Sequence, residues 1–192
     1  MLMASTYHHG NLRAQVLSSA VDMIASDGPD TLSLRELARQ AGVSHAAPAH
    51  HFGDRQGLFT AVAAEGFELM AQALEPSVKT GRFDRTAVAY VRFAVAHRGH
   101  FAVMFRPDLL DRDEERLASA RRRTSRLLGA GLESVPDASV HVSRPDARRA
   151  AWALVHGVAT LWLAGELPDT NPERVALSAA HQLFAKPGQA SG

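Results

Sequence analysis

The sequence predicts an all-α protein, a small three-helix unit built on a helix-turn-helix followed by a larger helical domain. Three stretches carry that prediction. Residues 11–27 place Leu12, Val16, Leu17, Ala20, Val21 and Ile24 on one side of a helix. Residues 33–55 read as two short helices joined at Gly42. Residues 148–164 form a helix that is apolar nearly all round, which a lone protomer could not leave exposed without cost.

Taken in order, Gly28-Pro29 breaks the first helix and Thr31-Leu32-Ser33 opens the next. Ser33 and Glu36 have the spacing of a capping box, in which hydroxyl and carboxylate satisfy two orphan amides reciprocally. Leu34, Leu37, Ala38 and Ala41 then fall at i, i+3, i+4 and i+7, one apolar stripe. Gly42 supplies left-handed backbone angles at no steric cost. Val43 is positioned to plug the core and Ser44 to cap the second short helix. Pro48 falls in that helix's first turn, where a missing amide costs least.

Such a short second helix carries few large side chains. His45 and His50 have the reach for base edges or phosphates, and the methyls of Ala46 and Ala47 suit thymine. The start of the first motif helix, near Thr31 and Ser33, offers amides to a phosphate. A helical hairpin with no nucleic-acid role fits the same glycine turn.

After His51-Phe52-Gly53-Asp54-Arg55, a longer helix runs through Leu58, Phe59, Val62, Phe67, Leu69 and Met70 towards Pro76. Residues 83–98 read as a helix, Gly99 interrupts it, and 100–105 form a short apolar segment ending at Pro107. Residues 111–128 read as a charged helix whose arginines 121–123 are balanced by Asp111, Asp113, Glu114 and Glu115. Gly129 to Pro145 is rich in Gly, Pro, Ser and Asp and is expected to be a loop. A last helix over 173–184 has Val175, Ala176, Ala179, Ala180 and Leu183 to pack beside the 148–164 helix.

The words GPDTLSLRELARQAGVSHAAPAHHF and DRQGLFTAV, in that order, closely resemble the N-terminal domain of TetR/AcrR-type transcriptional regulators over about the first 65 residues. Trp152, His156 and Gly157 resemble the tryptophan–histidine–glycine signature of one subgroup's C-terminal domain. The resemblance implies a flexible arm at 1–9 and a DNA-binding domain at 10–55. It also implies a ligand-sensing and dimerisation domain at 56–185, entered through a connecting helix at 56–76, and a flexible tail at 186–192. It further implies a homodimer on a pseudo-palindromic double-stranded DNA operator, released by a small, mainly apolar effector. Two departures stand out. Ala49 replaces the family's usual tyrosine, whose ring lies against a phosphate, and Arg55 replaces a lysine at the start of the fourth helix while keeping a phosphate contact feasible.

The expected DNA face is therefore Thr31, Ser33, Ser44, His45, Ala46, Ala47, Ala49, His50 and Arg55. The candidate pocket residues are Met70, Phe93, His97, Phe101, Met104, Phe105, Trp152 and His156, each of a kind found more often in plain core. The helices at 148–164 and 173–184 resemble the family's four-helix dimer interface, with Trp152, Val155, Ala159, Trp162, Val175, Ala179 and Leu183 as its candidates.

Composition sets limits on the alternatives. At 192 residues and 46% hydrophobic, the chain can bury a sizeable core, and no apolar run approaches the roughly 20 residues of a membrane span. No secretory signal is expected at Met1–Gly10. The absence of cysteine excludes disulfides and thiolate chemistry and fits a reducing cytoplasm. No cofactor is expected. An enzyme is the competing class, since His97 and His100 sit at i, i+3, a metal-compatible spacing, but no HExxH, Ser–His–Asp order or phosphate loop accompanies them. A helical dimeric adaptor that does not bind DNA is the third.

Residues 1–60 carry four arginines against five carboxylates, a formal charge of −1, with His8, His9, His45, His50 and His51 uncounted. Nucleic-acid domains ordinarily draw non-specific affinity from a basic excess, so the electrostatic drive here is modest. Imidazoles near the DNA face would restore it on acidification. Operator affinity at fixed salt is accordingly expected to be higher at about pH 6 than at about pH 8. A flat profile in a binding titration would place these imidazoles away from the DNA.

Overall fold

The computed structural model describes residues 5–184, with side chains from Leu12 onward, and among them there is no strand. The helices are α1 (Ser5–Asp27), α2 (Leu34–Gln40), α3 (Ala47–Phe52), α4 (Arg55–Lys79), α5 (Phe83–Ala96), α6 (Arg98–Met104), α7 (Glu115–Glu133), α8 (Arg144–Leu163) and α9 (Pro172–Leu183). No described helix is long and apolar enough to cross a membrane. Among the described residues two compact units emerge, one from residues 5–67 with 97–120, the other from 68–96 with 121–184.

The first unit is built around α1, which packs against α2, α3 and α6. Val16, Leu17, Ala20 and Ile24 of α1, Leu37 and Ala38 of α2, and Leu58, Phe59 and Val62 of α4 are buried together with Val103 and Met104 of α6. Gln15 donates from Nε2 to the Ala41 carbonyl at 2.8 Å and ties the end of α2 to α1. The first helix begins at Ser5, so residues 5–9, expected in an arm, are helical, and the tail at 186–192 lies outside the described residues.

Two glycines set how closely helices approach in this unit. A Cβ on Gly99 would lie 2.3 Å from the Val21 carbonyl oxygen, and one on Gly66 would lie 2.7 Å from Met104 Sδ. The break expected at Gly99 falls at His97, whose φ of −119° and ψ of 45° are not helical, and Gly99 is instead inside α6. Its role is proximity to α1 rather than interruption. His100, buried in α6, donates from Nε2 to Glu65 Oε2 of α4 at 2.9 Å. That hydrogen bond holds the Glu65 carboxyl below the usual carboxylate range against the opposing effect of burial.

In the second unit, α5, α8 and α9 pack on one another. Here the expected loop at 129–145 is corrected. The charged helix starts only at Glu115 and runs through both glycines to Glu133. Glycine costs about 1 kcal/mol in a helix interior, but here it lets α7 meet its neighbours. A Cβ on Gly131 would meet Thr86 Oγ1 at 3.0 Å, and one on Gly129 would meet the Arg148 guanidinium at 3.1 Å. Leu132 and Val135 then bury against Ala147 and Ala151 of α8. Arg144 donates to the Leu132 and Val135 carbonyls at 3.1 and 2.9 Å, closing the end of α7. Ser143 caps α8, accepting from the Asp146 amide at 3.2 Å.

The contacts of Gly99 and Gly66 predict different costs for an added methyl. Gly99→Ala is expected to lower unfolding stability by about 1–3 kcal/mol, because a backbone carbonyl cannot step aside and the clash outweighs the gain in helix propensity. Gly66→Ala should cost less, since the Met104 thioether is flexible. Urea unfolding of both variants checks this, and a Gly99→Ala protein as stable as the parent would contradict it.

Candidate nucleic-acid interface

The helix-turn-helix is assembled from local rules with two changes from expectation. Ser33 is the N-cap of α2 and its Oγ accepts from the Glu36 amide at 3.2 Å. The reciprocal half of the capping box is replaced. The Glu36 carboxylate takes the Arg39 guanidinium at 2.5–3.1 Å, which lowers the Glu36 pKa. At the other end Gly42 adopts φ +66°, and the Val43 amide returns to the Ala38 carbonyl at 3.0 Å. Ser44 does not cap α3. The N-cap is Ala46, without a side-chain bond, and Ser44 contributes only its carbonyl to the Ala47 amide at 3.0 Å.

Burial then sorts the residues of α3. Ala47, Pro48 and Phe52 are buried, and the Arg13 guanidinium lies 4.9 Å from the Phe52 ring centroid. Ser44, His45, Ala46, Ala49 and His50 are exposed, and His51 is half-buried with its ring 5.2 Å from that of His50. Ala47 is thus removed from the expected DNA face, because its methyl is spent in the core. Of the five histidines counted above, His45 and His50 are fully presented, while the side chains of His8 and His9 lie outside those described.

Thr31 and Ser33 are exposed, with the Thr31 hydroxyl donating to the Gly28 carbonyl at 3.1 Å. Arg55 is a second correction. Its Nη2 donates inward to the Pro29 carbonyl at 2.7 Å and the Asp30 carbonyl at 3.0 Å, and its guanidinium covers the Phe59 ring at 4.9 Å. It is not presented as a free cation. Asp54 caps α4 instead, accepting from the Gly57 amide at 2.8 Å. Arg35 and Arg39, which the sequence reading did not single out for this face, are exposed cations on α2.

The candidate pocket residues fall in both units. His97, Phe101, Met104 and Phe105 belong to the first, where Phe101 and Phe67 set their rings 5.3 and 5.5 Å from Phe105. Met70, Phe93, Trp152 and His156 belong to the second. There the buried Tyr90 phenol and His156 Nδ1 share a hydrogen bond at 2.9 Å. Burial raises the Tyr90 pKa and lowers that of His156, so both groups are held neutral. Tyr90 carries no sequence signal beyond its place in the 83–98 helix. Trp152 lines a void of only about 20 Å³, room for little more than a water. His97 and His100 stack edge to face at 5.8 Å, and no group of three or more metal-capable side chains is found among the described residues.

The apolar α8 is partly spent within its own unit. Val155 and Ala159 are buried there, so they are corrected from interface to core, whereas Trp152 is 45% exposed and Leu161 47%. Trp162, Val175, Ala179 and Leu183 are half-buried.

A short, side-chain-poor helix held across a glycine turn from a capped partner is the layout of a helix-turn-helix. A family model described as bacterial regulatory proteins, tetR family, matches residues 16–62, and one described as tetracyclin repressor-like, C-terminal domain, matches 83–185. The chain belongs to the TetR family of bacterial regulatory proteins. The HTH-type transcriptional repressor Rv1474c of Mycobacterium tuberculosis is 38% identical over 71 residues, 37% of this chain and 38% of that protein. The chain spans little more than a third of the length of the curated repressors it matches. A protein of unknown function from Rhodococcus sp. RHA1 superposes with a TM-score of 0.77 at 36% identity, over 94% of this chain and 97% of that one. The regulator FadR from Bacillus subtilis, solved in complex with stearoyl-CoA, shares the fold alone (TM-score 0.70, 13% identity, 90% of this chain and 97% of that one).

The exposed Ala49 generates a direct expectation. Ala49→Tyr should tighten binding to duplex DNA by about tenfold, the lower end of the scale of one added hydrogen bond to a charged group. Fluorescence anisotropy with a labelled duplex measures it, and unchanged affinity would show that this position does not meet the backbone.

Proposed function

We propose that the protein is a dimeric transcriptional repressor that binds a pseudo-palindromic operator and leaves it when a small, mainly apolar effector binds. The observation that carries the DNA part is the exposed set Ser44, His45, Ala46, Ala49 and His50 on and before α3, displayed while Ala47 and Phe52 anchor the helix. His45 and His50 would read base edges or phosphates and Ala46 a thymine methyl, with Thr31 and Ser33 at the backbone. On this reading residues 10–55 form the DNA-binding domain, 56–76 connect, and the remainder to 185 dimerises and senses.

One such helix reads only a few base pairs, so useful affinity requires two copies on a two-fold site. Exposed Trp152 and Leu161 favour dimerisation through α8, with Trp162, Val175, Ala179 and Leu183 contributing from half-buried positions. The relatives named as repressors support repression. The stearoyl-CoA complex of FadR supports an apolar effector within this fold, for which Phe101, Met104 and Phe105 of the first unit are the lining proposed. The effector shifts the DNA-competent population only as far as it discriminates between the two states. A chromosome-reading role sets the place of action in the cytoplasm.

Selection from random-sequence duplex DNA tests this reading. The expected product is an enriched pseudo-palindrome whose half-site spacing fits one protein dimer. No enrichment by protein shown to be folded and dimeric would overturn the reading in favour of a helical adaptor.

A further inference from the structure

The turn between α1 and α2 is weak by its own local contacts. Gly28 takes φ +81°, Pro29–Thr31 form a single 3-10 turn, and the Thr31 hydroxyl spans the Asp27 and Gly28 carbonyls at 3.3 and 3.1 Å. Only Pro29 and Leu32 are buried there. Yet the next residue is Ser33, the cap that fixes where α2 begins.

Two arginines from distant parts of the chain hold this turn. Arg55, the first residue of α4, sends Nη2 to the Pro29 and Asp30 carbonyls at 2.7 and 3.0 Å. Its Nε is buried without a hydrogen-bond partner, and its flat face covers Phe59 at 4.9 Å. The guanidinium is therefore committed inward. Arg106, just beyond α6, reaches the Asp30 carboxylate at 3.2 Å while held by Asp108 at 2.8 Å. That second bridge is largely solvated, with the Asp30 side chain 72% exposed, so it is weak alone and Arg55 supplies most of the restraint.

We infer that Arg55 and Arg106 are positioning residues for DNA reading: they brace the α1–α2 turn, so that α2 and α3 are presented in one register, and they do not contact phosphate. The inference rests on the DNA-binding reading above for its purpose, but its geometry is separable. A cation that touches phosphate releases counterions and adds about 0.9 to the salt slope of binding. A brace lowers affinity and leaves the slope alone.

The test uses the full chain with Arg55→Gln and Arg106→Gln. Hydrogen exchange without DNA comes first. The Leu32 amide, which donates to the Pro29 carbonyl at 3.3 Å, is expected to exchange about tenfold faster in Arg55→Gln, and less so in Arg106→Gln, while the α1 core keeps its protection. Unchanged exchange in the turn overturns the inference, as does acceleration spread through α1, which marks general loss of stability. Anisotropy titrations over a salt series follow, on the palindromic duplex recovered by selection. Weaker binding with a slope parallel to the parent supports the brace. A slope shallower by about 0.9 per protomer identifies a phosphate contact and overturns it. Failure of the parent protein to bind any duplex would defeat the DNA reading while the exchange result still decides the brace.

Discussion

Everything at the candidate interface depends on the burial of Phe52 and Ala47. A six-residue helix is far below the roughly 12–15 residues at which an isolated helix becomes even marginal in water. What keeps α3 helical is the seating of these two side chains and of Pro48 in a core already formed by α1 and α2. Burying a large aromatic such as Phe52 contributes about 1.5–3 kcal/mol, enough to outweigh the unfavourable nucleus of one short helix. The absence of a side-chain cap at Ala46 follows from this. Tertiary packing, not local propensity, defines where α3 starts, and the residues before it are free to face outward.

The sequence made the helix-turn-helix legible because its signals are local. A cap at Ser33, an i, i+3, i+4, i+7 stripe and a left-handed glycine at 42 lie within a dozen residues, and the structure shows each. Two details escaped for the same reason. Glu36 had a local partner in Arg39 that outcompeted the Ser33 amide, and Ala47 turned inward because one residue's rotation on a helix decides core from surface. The glycines of α7 read as a loop in sequence because their partners, Thr86 and Arg148, lie far away in the chain. Arg55 was expected at a phosphate by resemblance, and its carbonyl partners at Pro29 and Asp30 are equally invisible to periodicity. Long-range contacts between polar groups, including Tyr90 with His156, leave no spacing to find.

Electrostatics gives the interface a particular character. With a formal charge of −1 over its first sixty residues, the DNA-binding region cannot lean on a strong basic field. Arg55 is withdrawn into carbonyl contacts, and Arg39 is partly neutralised by Glu36. The free positive character that remains is carried by few groups, Arg35 among them. On the proposed function, recognition would draw on shape, on the close approach permitted by Ala46 and Ala49, and on two-fold repetition, more than on non-specific attraction.

The claim that the exposed surface around α3 meets DNA is tested most directly by amide chemical-shift mapping of the dimer titrated with its selected duplex. The account predicts the largest shifts at Ser44, His45, Ala46, Ala49 and His50, with small shifts at core positions such as Leu37 and Val62. Shifts concentrated elsewhere, with residues 44–50 silent, would contradict it.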